Sequence, residues 1–152
     1  MRTFRQHLLH NLCEANWASD GFLVDIERLS VDNDDFRRVL YTTKRSQLVV
    51  MSLKAGEDIG METHVDNDQF IRVEEGSGTV TLNGKSYPFE KGSSVTIPAG
   101  TEHNIAADKL EPLKLYTIYS PPHHRDGVLF VTKADAEAST EKFDGVTTAE
   151  NQ

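Results

Sequence analysis

Four side chains between positions 62 and 103 carry oxygen and nitrogen atoms of the kinds that bind divalent metals. Glu62 and His64 are separated by one residue, so on a strand both side chains point to the same face. Gln69 begins the next strand, and His103 follows a turn at residues 98–102 that contains a proline and a glycine. If these strands adjoin, a carboxylate oxygen, an amide oxygen and two imidazole nitrogens converge, a mixture that suits a divalent first-row metal. A single Glu-x-His pair is also typical of a packed, hydrogen-bonded histidine that binds nothing.

Short strands separated by turn residues must position these side chains. The region is rich in β-branched residues, is broken by glycines and prolines, and has almost no helical periodicity. Asn83-Gly84, between two β-rich runs, is a strong hairpin signal because both turn positions need a positive φ. Many short strands at close spacing predict an all-β sandwich or barrel. The predicted strands are 36–41, 47–53, 69–74, 78–82, 87–89, 94–97, 103–106 and 113–119.

Segments with a different pattern flank the predicted barrel. The apolar spacing over residues 4–17 fits either a short amphipathic N-terminal helix or a frayed, disordered extension. Residues 22–26 form an apolar edge strand or packing arm that we expect to be too isolated to bury itself within its own chain. Residues 133–143 favour a helix and residues 144–152 a loose tail. The expected division is an N-terminal extension at 1–35, a barrel domain at 36–130, and a C-terminal helix or tail at 131–152.

Composition and charge narrow the class of protein. The 152 residues are most simply one domain, long enough to build a core without disulfides. The single cysteine, Cys13, cannot form an intramolecular disulfide, which indicates a reducing compartment and an ordinary thiol. The formal net charge of −8 opposes nucleic-acid binding. No apolar run approaches the roughly 20 residues of a membrane span, and the N-terminus lacks a signal-peptide core, so we expect a cytoplasmic protein.

The stretch from Gly56 to His103 resembles the cupin family, whose two motifs read G-x5-H-x-H-x3,4-E-x6-G and G-x5-P-x-G-x2-H-x3-N. The first motif fits in register at Gly56, positions 62, 64 and 69, and Gly76, and the second fits at Gly92, Pro98, Gly100 and His103. The resemblance implies a double-stranded antiparallel β-barrel, also called a jelly roll. It also implies a homodimer formed by exchange of N-terminal strands, for which the residues before Phe36 are available.

The resemblance implies that Glu62, His64, Gln69 and His103 bind one divalent ion, with Mn, Fe, Ni and Zn as the candidates. Glu62 replaces the first motif histidine, Gln69 replaces the motif glutamate, and Ala107 replaces the final asparagine. One carboxylate therefore remains at a different position, and one imidazole is exchanged for a weaker neutral carbonyl. The alternative is a degenerate site that no longer binds a metal.

The chain is also similar to a group of small single-domain bacterial cupins, some of which are labelled as mannose-6-phosphate isomerase-like. The similarity lies in residues 68–72, 98–104 and 115–122. Because a shared fold does not imply a shared function, the label leaves the reaction open.

Two classes of function remain open. An enzyme would use the metal on a small oxygen-bearing substrate, sugar-like or carboxylate, in isomerisation, epimerisation or oxygenation. No catalytic residue can be named, because no second titratable group is placed in the pocket by the sequence. A binding or sensing module would hold a small molecule without turnover.

Other polar and aromatic residues carry weaker signals. Arg72 alternates to the face opposite Gln69, which predicts a structural ion pair. Glu102 points away from His103 on a regular strand. His123 and His124 follow two prolines and predict a solvated loop, although such a loop could fold over the mouth of a barrel. Tyr116 and Tyr119 are expected in the barrel wall or an interface.

Overall fold

The computed structural model describes residues 16–18, 21–148 and 150, and for residues 16–18 only the backbone. Cys13 and most of the segment predicted as an N-terminal helix lie outside the described residues. The end of that helix prediction was wrong, because residues 16–18 are extended and pair with residues 21–23. Pairing with a second extended segment satisfies backbone groups that a helix would satisfy internally.

The described part of the chain consists of eleven strands and two short helices. Each of the eight strands predicted between residues 36 and 119 is present, with its ends within two residues of the prediction. The longer helix has seven residues, and no described helix has the length and apolar character to cross a membrane. The elements are β1 (Asn16–Ala18), β2 (Gly21–Leu23), α1 (Ile26–Asp32), β3 (Arg37–Thr42), β4 (Gln47–Leu53), β5 (Asp68–Glu75), β6 (Ser77–Leu82), β7 (Lys85–Glu90), β8 (Ser94–Ile97), β9 (His103–Ala107), β10 (Leu113–Ser120), β11 (Leu129–Phe130) and α2 (Lys133–Glu137).

Two antiparallel sheets enclose one hydrophobic core. Six strands lie in the order β11-β3-β4-β10-β5-β8, and three in the order β7-β6-β9, while β1 and β2 form a separate ribbon. Buried residues of both sheets form one cluster, for example Val49 and Leu115 of the larger sheet with Val80 and Ile105 of the smaller. This arrangement confirms the all-β, double-stranded antiparallel barrel. Asn83 and Gly84 join β6 to β7 with positive φ, as the hairpin signal predicts.

Alternation along β5 and β10 places the site residues. Gln69, Ile71 and Val73 of β5 are buried and point into the barrel. Gln69 lies opposite Tyr119 of β10, and Ile71 lies opposite Thr117. The end of the barrel at Gln69 and Tyr119 is therefore lined by polar groups, whereas its middle is apolar.

The outer face of the larger sheet is covered by the segment that precedes β3. Leu40 and Val50 pack with Phe22, and Phe22 stacks on Tyr41 with ring centroids 5.3 Å apart. The remaining partly buried members of this cluster are Ile26, Leu29, Leu48 and Tyr116. A packing arm is therefore present. The expectation that it cannot bury itself within its own chain is contradicted only in part, because Phe22 and Ile26 are partly buried while Leu23 is 73% exposed. The homodimer and the three domain boundaries stay predictions, because the structure describes one chain.

The C-terminal helix is shorter than predicted, and the segment after it is hydrogen-bonded to β3. A reciprocal capping box between Thr132 and Asp135 begins α2, which ends at Glu137 rather than continuing to residue 143. Residues 139–148 have no helix or strand. They are not loose, because the N–H of Thr148 donates to the carbonyl of Thr42 at 3.0 Å and its hydroxyl oxygen accepts from the N–H of Thr42 at 2.8 Å.

Gly76 joins the two sheets between β5 and β6 at a φ of +90°, and an added Cβ would lie 2.2 Å from the carbonyl oxygen of Pro112. We predict that Gly76→Ala lowers the free energy of unfolding by about 2–5 kcal/mol, from backbone strain and overpacking together. Urea unfolding measures this loss. Gly21→Ala is the matched control, since nothing lies within 4 Å of an added Cβ there. Equal effects of the two substitutions would contradict the prediction.

Candidate metal centre

The segment that carries Glu62 lies beside the first residue of β9. The N–H of Glu62 donates to the carbonyl of His103 at 2.8 Å, and the N–H of His103 donates back at 2.9 Å. The carbonyl of His64 accepts from the N–H of Gly100 at 2.8 Å. Glu62 and His64 therefore do not share a regular strand, and these main-chain bonds bring them to His103 instead.

The three side chains bring their donor atoms together. One ligand atom from each of Glu62, His64 and His103 lies within 4.8 Å of the others. Glu62 Oε2 is 3.2 Å from His64 Nε2 and 4.0 Å from His103 Nε2. Two imidazole nitrogens and one carboxylate at this spacing form a donor set that fits a divalent first-row ion.

The tautomer of His103 is set by the turn before it. His103 is 1% exposed, and its Nδ1 lies 2.9 Å from the carbonyl oxygen of Thr101. Because a carbonyl only accepts, Nδ1 carries the hydrogen and Nε2 keeps its lone pair. Histidines that bind metals almost always donate their second N–H in this way. The nitrogen that faces Glu62 is therefore ready to bind a cation.

Several polar atoms at this end of the barrel lack a hydrogen-bond partner among the described residues. They include Nε2 of His103 and Oε1 of Gln69, both of them buried. The buried Nε2 of His64 also makes no aligned hydrogen bond, and its neighbour at 3.2 Å is Glu62 Oε2, another candidate ligand atom. Gln69 Nε2 donates to Thr117 Oγ1 at 3.0 Å, which leaves the amide oxygen free. Buried polar atoms are rarely unpaired in native proteins, so these atoms fit a bound ion. Metal binding by Gln69 stays a prediction, which its free oxygen supports.

The electrostatics favour an ionised Glu62. Burial alone would raise the pKa of its carboxyl group. The His64 ring and the positive charge of Arg37 outweigh that effect and hold the pKa of Glu62 below its usual range. The carboxylate is therefore charged at neutral pH and available as a metal ligand.

The loop after β10 folds over this end of the barrel and is held there by Gln47. Gln47 Nε2 donates to the carbonyl of His124 at 2.7 Å. Its Oε1 accepts from the N–H groups of His123 and His124 at 3.2 and 2.9 Å. His124 is 5% exposed, and the His123 ring centroid lies 4.4 Å from that of His64. The prediction of a solvated loop was therefore wrong.

Asn67 orients His123 from the other side of the loop. Its Nδ2 donates to the carbonyl of Pro121 at 2.6 Å, so its Oδ1 is the atom 3.2 Å from His123 Nδ1. Nδ1 therefore carries the hydrogen, and the lone pair is on Nε2. Burial, and after it the neighbouring His124 and His64, lower the pKa of His123 to about 4. His123 is a neutral hydrogen-bond acceptor beside the candidate ligands.

A second buried chain of groups supports the loop. His124 Nδ1 is 2.6 Å from Oε1 of Glu141, and its Nε2 is 3.4 Å from the hydroxyl of Tyr119. Burial lowers the pKa of His124 and raises that of Tyr119, so both are neutral. Glu141 has no signal in the sequence that links it to the site, because it lies 17 residues beyond His124 in an irregular segment.

The remaining candidates lie where they were predicted. Arg72 forms an ion pair with Glu74, and Glu102 is exposed. Tyr116 packs in the outer cluster with α1, and Tyr119 is buried in the barrel wall. Glu102 and Glu74 do not belong to the group formed by Glu62, His64 and His103 among the described residues.

The depressed pKa of His123 predicts a pH-dependent stability of the metal-free protein. Between pH 6.5 and about 4 the unfolded chain binds a proton at His123 that the folded chain does not, so stability falls as pH falls. Some of the free energy of unfolding is lost between pH 6.5 and about 4. We expect His123→Asn to make that loss smaller by on the order of 1–3 kcal/mol. Urea unfolding at several pH values measures how the free energy of unfolding of each protein changes with pH. Parallel slopes for the two proteins would show that His123 does not contribute.

The chain is similar to known proteins in both sequence and fold. The cupin domain profile matches residues 49–119. YrkC of Bacillus subtilis (strain 168) is 43% identical over 136 residues, 85% of this chain and 73% of YrkC. L612 of Acanthamoeba polyphaga mimivirus is 40% identical over 126 residues, 80% of this chain and 78% of L612.

The crystal structure of BH2720 from Bacillus halodurans superposes with a TM-score of 0.76 at 44% identity. It covers 78% of this chain and 94% of BH2720. None of these three names states an activity, so the relatives leave the reaction open. With its matching domain, its relatives and its two-sheet barrel, this chain belongs to the cupin family.

Proposed function

We propose that this protein binds one divalent metal ion at Glu62, His64, Gln69 and His103 and uses it on a small oxygen-bearing molecule, sugar-like or carboxylate. The observation that carries the proposal is the set of buried, unpaired donor atoms at one end of the barrel. The lone pair that Thr101 leaves on His103 Nε2 supports it further. Two imidazoles, a carboxylate and an amide oxygen suit Mn, Fe, Ni or Zn.

When bound, the ion would supply Lewis-acid polarisation of a ligand oxygen, the chemistry of isomerisation and epimerisation, or activation of dioxygen for oxygenation. The protein contributes position and environment. The Thr101 carbonyl fixes the ring of His103, and Gln47 and Asn67 hold the loop over this end of the barrel. His123 Nε2 offers a neutral acceptor for a hydroxyl group of the bound molecule.

Metal titration tests the site directly. We predict that the wild type binds one ion after reconstitution and that His103→Ala lowers the affinity at least about 100-fold, because an imidazole donor is lost. Gln69→Glu is expected to tighten binding about tenfold, because a second carboxylate cancels the positive charge that one carboxylate leaves on a divalent ion. Acid should weaken binding, since protons compete for the imidazole nitrogens. Calorimetry and elemental analysis measure all three effects.

Glu102→Gln is the matched control, because Glu102 is the exposed neighbour of His103 and should leave the stoichiometry unchanged. The site assignment is wrong if the reconstituted wild type binds no metal or if His103→Ala binds as tightly as the wild type.

A binding or sensing module is the second candidate, and one observation favours it. His123 and His124 have lowered pKa values and Tyr119 has a raised one, so none of these three groups is tuned as a general base near neutral pH. We expect thermal-shift screening of the metal-loaded protein against sugars and small carboxylates to find ligands that raise the melting temperature. Incubation of the same compounds then decides the class, because an enzyme consumes its ligand and a sensor returns it unchanged.

A further inference from the structure

Arg37 faces the interior of the barrel. Along β3 the side chains of Arg37 and Val39 point inward, and Val39 belongs to the central core cluster. Arg38 points the other way and forms an ion pair with Asp35 at 2.7 Å. Arg37 itself is 8% exposed. An arginine is therefore built into the enclosed space of the barrel.

The guanidinium group of Arg37 has no hydrogen-bonding partner in the described part of the chain. Its Nε is buried and unpaired. The guanidinium group lies over the ring of Phe36, with Cζ 5.4 Å from the ring centroid. Arginine has five N–H donors and cannot lose its charge in a protein. A buried cation with no carboxylate in direct ion-pair contact is costly, so this arrangement points to a ligand with a negative charge.

The other charged side chains that are buried among the described residues are paired. Lys114 donates to the carbonyl of Asn33 and to Asp34 Oδ1, the latter at 2.9 Å. Glu74 is paired with Arg72. The fold therefore supplies partners for buried charges where they serve structure, and Arg37 is the exception.

Arg37 acts on the same space as the candidate metal centre. Its charge lowers the pKa of Glu62 and of His124. Arg37 also lowers the pKa of the buried Glu141. With a divalent ion bound, the two negative charges of Glu62 and Glu141 would still be outnumbered by the ion and Arg37 together. An enclosed region of low dielectric constant with this excess of positive charge attracts a small anion.

We propose that Arg37 binds the carboxylate of a small 2-oxo or 2-hydroxy acid, whose second oxygen function is directed to the metal centre. This inference rests on the proposed function and narrows its substrate class. The planar fork of arginine matches a planar carboxylate with two parallel hydrogen bonds. A phosphate group needs more donors, and no second arginine or lysine is buried on the inner face of the described barrel.

Calorimetric titration with pyruvate and with L-lactate tests the proposal on the metal-loaded protein. We expect Arg37→Gln to weaken binding about 10- to 100-fold, the loss typical of charge-assisted hydrogen bonds. Arg37→Lys, which keeps the charge without the fork, should lose less. Arg38→Gln is the matched control on the opposite face of the same strand and should bind like the wild type. Pyruvamide, the neutral analogue, should bind much more weakly than pyruvate.

Metal titration of the same variants separates this proposal from the metal assignment. Arg37→Gln should bind the ion as tightly as the wild type or more tightly, because a neighbouring positive charge is removed. Loss of the metal in this variant would overturn the proposal, as would equal pyruvate binding by Arg37→Gln and the wild type. Tighter binding of inorganic phosphate than of either acid would overturn the carboxylate class. If the wild type binds no metal but still binds pyruvate through Arg37, the metal assignment fails and the Arg37 assignment stands.

Discussion

The pair of main-chain hydrogen bonds between Glu62 and His103 is the constraint on which the candidate site depends. It joins a segment outside the regular strands to β9, so that ligands 41 positions apart in the chain share one end of the barrel. Backbone bonds have no rotamer freedom, and this pair therefore fixes the Cα positions of two ligands before any ion is considered. The bond from Gly100 to His64 adds the third.

Two neutral amide side chains hold the loop after β10 at this end of the barrel. Gln47 and Asn67 each donate and accept, and together they satisfy backbone groups of the loop after β10. An ionised side chain in the same place would add a charge beside Glu62 and Arg37 and would disturb the electrostatics of the site. Amides hold the loop without changing the charge balance, which suits a site whose chemistry depends on that balance.

The barrel and the grouping of Glu62, His64 and His103 could be predicted because local sequence features determine them. A positive φ and a close carbonyl oxygen require glycine at position 76. Positive φ values likewise account for Asn83 and Gly84 in the hairpin turn. Arg37 could not be found in this way, because both faces of β3 are covered and its sequence shows no alternation. The loop with His123 was misjudged because the amides that bury it lie 54 to 77 positions away. Contacts at that separation have no periodic signal in the sequence.

The bond between Glu141 and His124 has a consequence for the order in which the molecule is made. Glu141 follows all the described strands in the chain, yet it holds a histidine beside the mouth of the barrel. During synthesis the strands therefore emerge from the ribosome first and can pair before their mouth is complete. The bond from Glu141 to His124 is therefore one of the last contacts that a newly made chain can form at the site, after Gln47 and Asn67 are available to hold the loop.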